Sequence, residues 1–99
     1  MRGLLSKRIF MNSILIKQDG RVEPIEMPKK NRLELLHKCV GGYIECVNLD
    51  NDLMMVVDEE GKLKNKGLNR IATQILTYNS NIMDVIVGDV VICPRSLLD

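Results

Sequence analysis

Four cations fall within the nine residues "KLKNKGLNR" (62–70), at Lys62, Lys64, Lys66 and Arg70. Set around the start of a helix, such a cluster suits an anion, because free backbone N–H groups and the helix dipole already favour negative charge there. Lys62 and Lys64 would supply point charges to a phosphate, and Arg70 a planar, two-pronged clamp. Asn69 would cap the helix or hydrogen-bond a base or ribose, and Tyr43 or Tyr78 would stack on a base. The same stretch also reads as a solvated basic loop with an ordinary Asn cap. It marks a place rather than a chemistry.

Other constellations offer less. The run Asp58, Glu59, Glu60 is acidic, but three consecutive turn residues point apart rather than converge on a cation, so it reads as a solvated turn. The single His37 and the scattered serines lack the context of a nucleophile and its base. Cys39, Cys46 and Cys93 are odd in number and have no C-x-x-C spacing, which argues against a disulfide framework or a zinc site. They read as free thiols, buried or half-buried, in a reducing cytosol. No cofactor, metal or catalytic residue is expected.

The formal net charge of the 99 residues is +1, so no long-range field advertises DNA or RNA. No run is long and apolar enough to span a membrane. Only three aromatic residues are present, Phe10, Tyr43 and Tyr78, so the core must be aliphatic. A thin aliphatic core in so small a chain favours burial of further surface in a homo-oligomer.

Several local signals must position the basic stretch. "SILIK" (13–17) and "RVEPIEM" (21–27) are strands joined across Asp19-Gly20, and Pro24 puts the second at an edge or a bulge. "NRLELLHKCV" (31–40) has helical spacing of apolar residues, with Asn31 and Glu34 spaced as a capping box. Gly41 then closes the helix and Gly42 releases the chain into "YIECV" (43–47). A phosphate cradle would need the order strand, glycines, helix, whereas here it is helix, glycines, strand. "LMMVVD" (53–58) pairs with "YIECV" across "NLDND", and a second helix runs over 69–77 with Asn69 as its N-cap. "IMDVIVGDVVICP" (82–94) is β-branched and broken at Gly88-Asp89, giving two short strands or one bulged strand. The order ββ-α-ββ-α-ββ predicts an α+β domain over 11–95, a mixed or antiparallel sheet with both helices on one face. Residues 1–10 read as an N-terminal extension before Met11, and 96–99 as a tail.

The string "VGGYIECVNLDNDLMMVVDEEGKLKNKGLNR", followed by "DVIVGDVVI", resembles the phage and mobile-element family catalogued as Domain of Unknown Function 3846. The resemblance covers residues 13–93. This sequence departs from the family pattern at Asp58, where Asn or Cys often stands, and in the stretch "TYNSNIM". The family carries no agreed catalytic residues, so the resemblance implies a small phage protein in the host bacterial cytoplasm rather than a reaction. On that footing the expected function is a non-enzymatic counter-defence sponge. It would sequester a cyclic nucleotide or cyclic ADP-ribose type signal through Lys62, Lys64, Asn69, Arg70, Tyr43 and Tyr78. The alternative is an inhibitor or accessory module that binds a host protein. A phosphodiesterase-like hydrolase is the least supported, for want of metal ligands.

Overall fold

The computed structural model describes residues 12–80 and 82–98, so the expected extension at 1–10 lies outside the described residues. The elements are β1 (Ser13–Ile16), β2 (Val22–Ile25), α1 (Arg32–Val40), β3 (Ile44–Asn48), β4 (Leu53–Asp58), α2 (Arg70–Ser80), β5 (Val90–Pro94) and a short 3₁₀ turn at Arg95–Leu97. The five strands form one sheet in the order β2-β1-β5-β4-β3, and every neighbouring pair is antiparallel. This is the expected α+β class. The last run becomes the single strand β5, preceded by an isolated bridge between Val87 and Leu68.

Strand alternation divides the core in two. Ile16, Met55, Val57, Val90 and Ile92 point to the face where α2 lays Ala72 and Leu76. Leu15, Val56, Val91 and Cys93 point to the other, where α1 lays Leu36 and Val40. The helices therefore cover opposite faces, which corrects the expectation that both share one. A sheet apolar at both parities of β4 and β5 needs a cover on each side. Each fully buried aliphatic side chain, such as Leu36 or Met55, contributes about 1.5–3 kcal/mol through removal from water.

The turns follow their residues. Gly20 takes φ +99° in the first hairpin, and Asn51 and Asp52 take φ +61° and +58° in the second, the left-handed pair that suits a tight turn between twisted strands. The capping box at Asn31 does not form. Asn31 is itself left-handed (φ +59°) and makes no side-chain cap bond, while its carbonyl accepts from Leu35 N–H. At the other terminus the 96–99 tail is corrected in part: Leu97 and Leu98 pack against the α1-side core, and Arg32 donates to the Leu97 carbonyl at 2.7 Å.

Candidate functional site

The basic stretch folds back onto the end of α1. Gly41 closes that helix at φ +80°, its N–H donating to the His37 carbonyl, and so serves as the expected terminator. Lys66 Nζ then donates to the Val40 carbonyl at 2.6 Å, and Lys64 Nζ to the Gly41 carbonyl at 3.2 Å. Ammonium groups placed on the last carbonyls of a helix offset its negative end. Both lysines also converge on Oδ2 of Asp58, at 2.9 Å from Lys64 and 2.6 Å from Lys66. Gly42 lets them do so, because a Cβ there would stand 2.5 Å from Lys64 Nζ and 2.8 Å from Asp58 Oδ1.

Asp58 is therefore not part of a solvated turn. Its side chain is fully buried, and its Oδ1 accepts from the Glu60 N–H at 2.9 Å. Burial pushes the carboxyl up, but the hydrogen bonds from Lys66 and Lys64, the Glu60 N–H and the Lys66 charge outweigh it and hold the group at about 2. Since Asp58 pairs with Ile44 in the β3–β4 ladder, this lock fastens the start of β3.

The second half of the stretch starts α2. Asn69 Oδ1 accepts from the Ala72 N–H at 3.1 Å, the expected N-cap. Its Nδ2 donates to the carbonyls of Ile16 (3.0 Å) and Gly88 (2.8 Å), and the residue is buried. Asn69 thus ties α2 to the end of β1 and to the turn before β5, with no side-chain donor left for a base or ribose, which corrects its assignment as a ligand contact. Lys62 is paired with Asp84 at 2.7 Å. Arg70 and Tyr78 are exposed on α2, roughly 12 Å apart along its axis. Tyr43 is exposed near the end of α1, on the opposite side of the sheet from α2, with its ring edge-on to His37 at 5.6 Å. The His37 Nδ1–H donates to the Gly42 carbonyl at 2.9 Å. The six residues do not surround one cavity.

The family model described as "Domain of unknown function (DUF3846)" matches residues 11–96. The chain belongs to this family. No curated protein and no solved structure matches it. Within this DUF3846 chain, the stretches quoted above as characteristic meet around Asp58 and Asn69: the Gly41-Gly42 helix exit, the "DEEGK" turn, the "NR" helix start and the backbone of Gly88. They join the end of α1 and the start of α2 to the ends of β1 and β4 and to the turn before β5, which is an architectural task.

Two clefts flank this lock. One, of about 320 Å³, lies on the α2 side with Glu45 and Val47 of β3 and Val57 of β4 in its lining, opposite Lys62, Leu63 and Val85. Leu63 (83% exposed), Ile82 and Val85 leave an apolar rim around it. The other, of about 480 Å³, lies between the first hairpin and the end of α1, lined by Lys17, Arg21, Lys38 and Lys66 with Asp19 and Asp89. Of the six residues singled out in the sequence, Lys62 alone lines either cleft.

The sheet edges were the feature that residue chemistry did not point to. Glu59 N–H donates to the Tyr43 carbonyl and Leu49 N–H to that of Leu53, so the odd-numbered residues of β3 bond toward β4. Ile44, Cys46 and Asn48 therefore turn their N–H and C=O groups outward. No hydrogen bond to these groups occurs among the described residues. At the opposite edge, Lys17 N–H donates to Arg21, which by the same alternation puts Val22 and Pro24 outward. The prediction that Pro24 marks an edge strand holds.

Proposed function

We propose that this protein is a non-enzymatic interaction module that presents the β3 edge to an extended segment of a partner protein. The observation that carries this reading is the asymmetry of the edges. Natural sheets blunt exposed edges with proline, lysine or a covering element. Here Pro24 does so at β2, while β3 keeps a run of outward donors and acceptors beside an apolar-rimmed cleft. Strand addition draws affinity from main-chain bonds and specificity from alternate side chains, here Glu45 and Val47 at the cleft. An inhibitor or accessory module acting on a host protein fits this surface. A phage protein working in the host bacterial cytoplasm agrees with three cysteines left as thiols.

The test compares capture of host proteins by the wild type and by Cys46→Pro, which removes the central outward N–H. Cys46→Lys, which adds a charge at the same edge, serves as a second variant. Partners held by the wild type and lost by both folded variants are the expected result. Partners retained by both would overturn the reading.

The sponge reading keeps one observation in its favour, the larger cleft with four cations against two carboxylates. Its ligand would be a cyclic nucleotide or cyclic ADP-ribose type anion, held by Lys17, Arg21 and Lys38 rather than by Lys64 and Asn69. A thermal-shift panel of such nucleotides tests it. Saturation at a hundredfold over the dissociation constant would add about 2.7 kcal/mol of stability. No shift across the panel would remove the reading.

A further inference from the structure

The β3 edge carries no proline and no covering hydrogen bond among the described residues, so it can pair with a copy of itself. Its outward groups belong to Ile44, Cys46 and Asn48, spaced equally about Cys46. We propose that the segment added to β3 is β3 of a second copy of this chain, antiparallel about a two-fold axis at Cys46, giving a continuous ten-stranded sheet. This rests on the open-edge reading above but assigns the edge to a second copy, which would compete with a host segment for the same outward groups.

In that register Cys46 faces Cys46 of the second copy, Ile44 faces Asn48, and Asn48 faces Ile44. Each pair exchanges an N–H···O=C bond in both directions, so every outward donor of β3 meets an acceptor. A slip by one residue is forbidden, because it turns the side chains to the wrong faces. Two other registers preserve the faces and pair more than one residue of β3. One sets Glu45 directly opposite Glu45 of the second copy, and like charges directly opposed destabilise a strand pair. The other moves the axis to Val47 and leaves Ile44 without a partner in the strand. The Cys46-centred register pairs all of Ile44–Asn48 and sets Glu45 against Val47. Val47 of one copy then adjoins Glu45 at the cleft floor of the other. The cleft floors adjoin across the axis, joining two apolar rims that one copy leaves in water. An isologous two-fold contact of this kind closes on itself and leaves the Pro24 edges outermost, which stops further growth.

The test uses the full chain. Sedimentation equilibrium is expected to give about twice the 11.2 kDa chain mass. Cys46→Pro, checked for folding by circular dichroism, is expected to give the single-chain mass. Paired residues of this kind have Cα atoms about 5.5 Å apart, within disulfide reach. Copper-catalysed oxidation at alkaline pH, which offsets the raised thiol pKa of Cys46, is therefore expected to yield a covalent dimer. Cys46→Ser should lose the covalent species and keep the dimer mass. A single-chain mass at millimolar concentration, or a dimer in which Cys46 does not cross-link while Cys39 does, would overturn the proposal. The first result combined with loss of a host partner in Cys46→Pro would sink self-pairing alone. The first result combined with unchanged capture would sink both readings.

Discussion

At its β2 end the sheet finishes on Pro24, whose missing N–H faces outward, and on exposed ion pairs such as Arg21–Asp19. At its β3 end it finishes on an open ladder whose first residue, Ile44, is paired with a fully buried, doubly bridged Asp58. One edge is closed and loosely fastened, the other open and tightly fastened. An edge kept rigid yet unsatisfied loses little conformational entropy when a strand adds to it. The difference therefore teaches that the basic stretch, which resembles an anion site, holds still the open edge on which the proposed interaction would be made.

The sharpest way to break this contrast is Asp58→Ala. Removing one partner of a buried ion pair costs 3–5 kcal/mol in general, and the partial exposure of Lys64 and Lys66 lowers this to about 3. Denaturant titration should show that loss, with faster amide exchange in 44–48 than in 13–16. A loss below about 1 kcal/mol would mean that the lock does not fasten β3.

Acid should act on the same lock. Because the Asp58 carboxyl is held down at about 2 from its ordinary 3.8, the unfolded chain takes up its proton first. The group's contribution is thus complete above the unfolded value and is lost as pH falls through the folded one. The loss should amount to about 2 kcal/mol between roughly pH 5 and pH 2, and should vanish from the pH profile of Asp58→Asn. An identical profile in that variant would assign the acid sensitivity elsewhere.

Opening the closed edge is the converse experiment. Pro24→Val restores an outward N–H, and its effect on stability should stay within about 1 kcal/mol, the span of strand propensities. Its association state should change, with species larger than a dimer appearing on sedimentation. Unchanged mass would show that Pro24 is not what guards that edge. The smallest effect is expected at the loosely fastened end. Asp19→Asn removes an exposed pair and should leave the denaturation midpoint where it was.

Much of the fold was legible in the sequence because local chemistry decided it. Asp19-Gly20, "NLDND", Gly41 and the Asn69 cap all act within a few residues, and all sit as expected. The capping box failed for a local reason too, since Asn31 entered the left-handed region instead of the extended one that a cap needs. The placement of the helices was legible in strand parity rather than in element order: "LMMVVD" and "VVICP" are apolar at both parities, the mark of a sheet covered on both faces. The lysine lock was not legible. Lys66 reaches Val40 across 26 positions, and an acidic "DEE" turn looks solvated until a neighbouring helix end buries it. The candidate site followed the same rule. Residue type alone drew attention to lysines that were already engaged by carbonyls and carboxylates. The open edge lies in the backbone, where side-chain identity says only that Pro24 excludes it elsewhere.

The position of β5 bears on how the chain is made. It is the last of the five strands to leave the ribosome, yet it lies at the centre of the sheet, between β1 and β4. Until it emerges, the nascent chain holds two unconnected hairpins, each too small to be stable alone. Every long-range ladder then forms in a single late step, the topology that slows folding. Through the wait, the inner edges of both hairpins stand as open as that of β3. Pulse-labelled exchange during refolding should show the two hairpins protected only together, when Val90–Pro94 zips them.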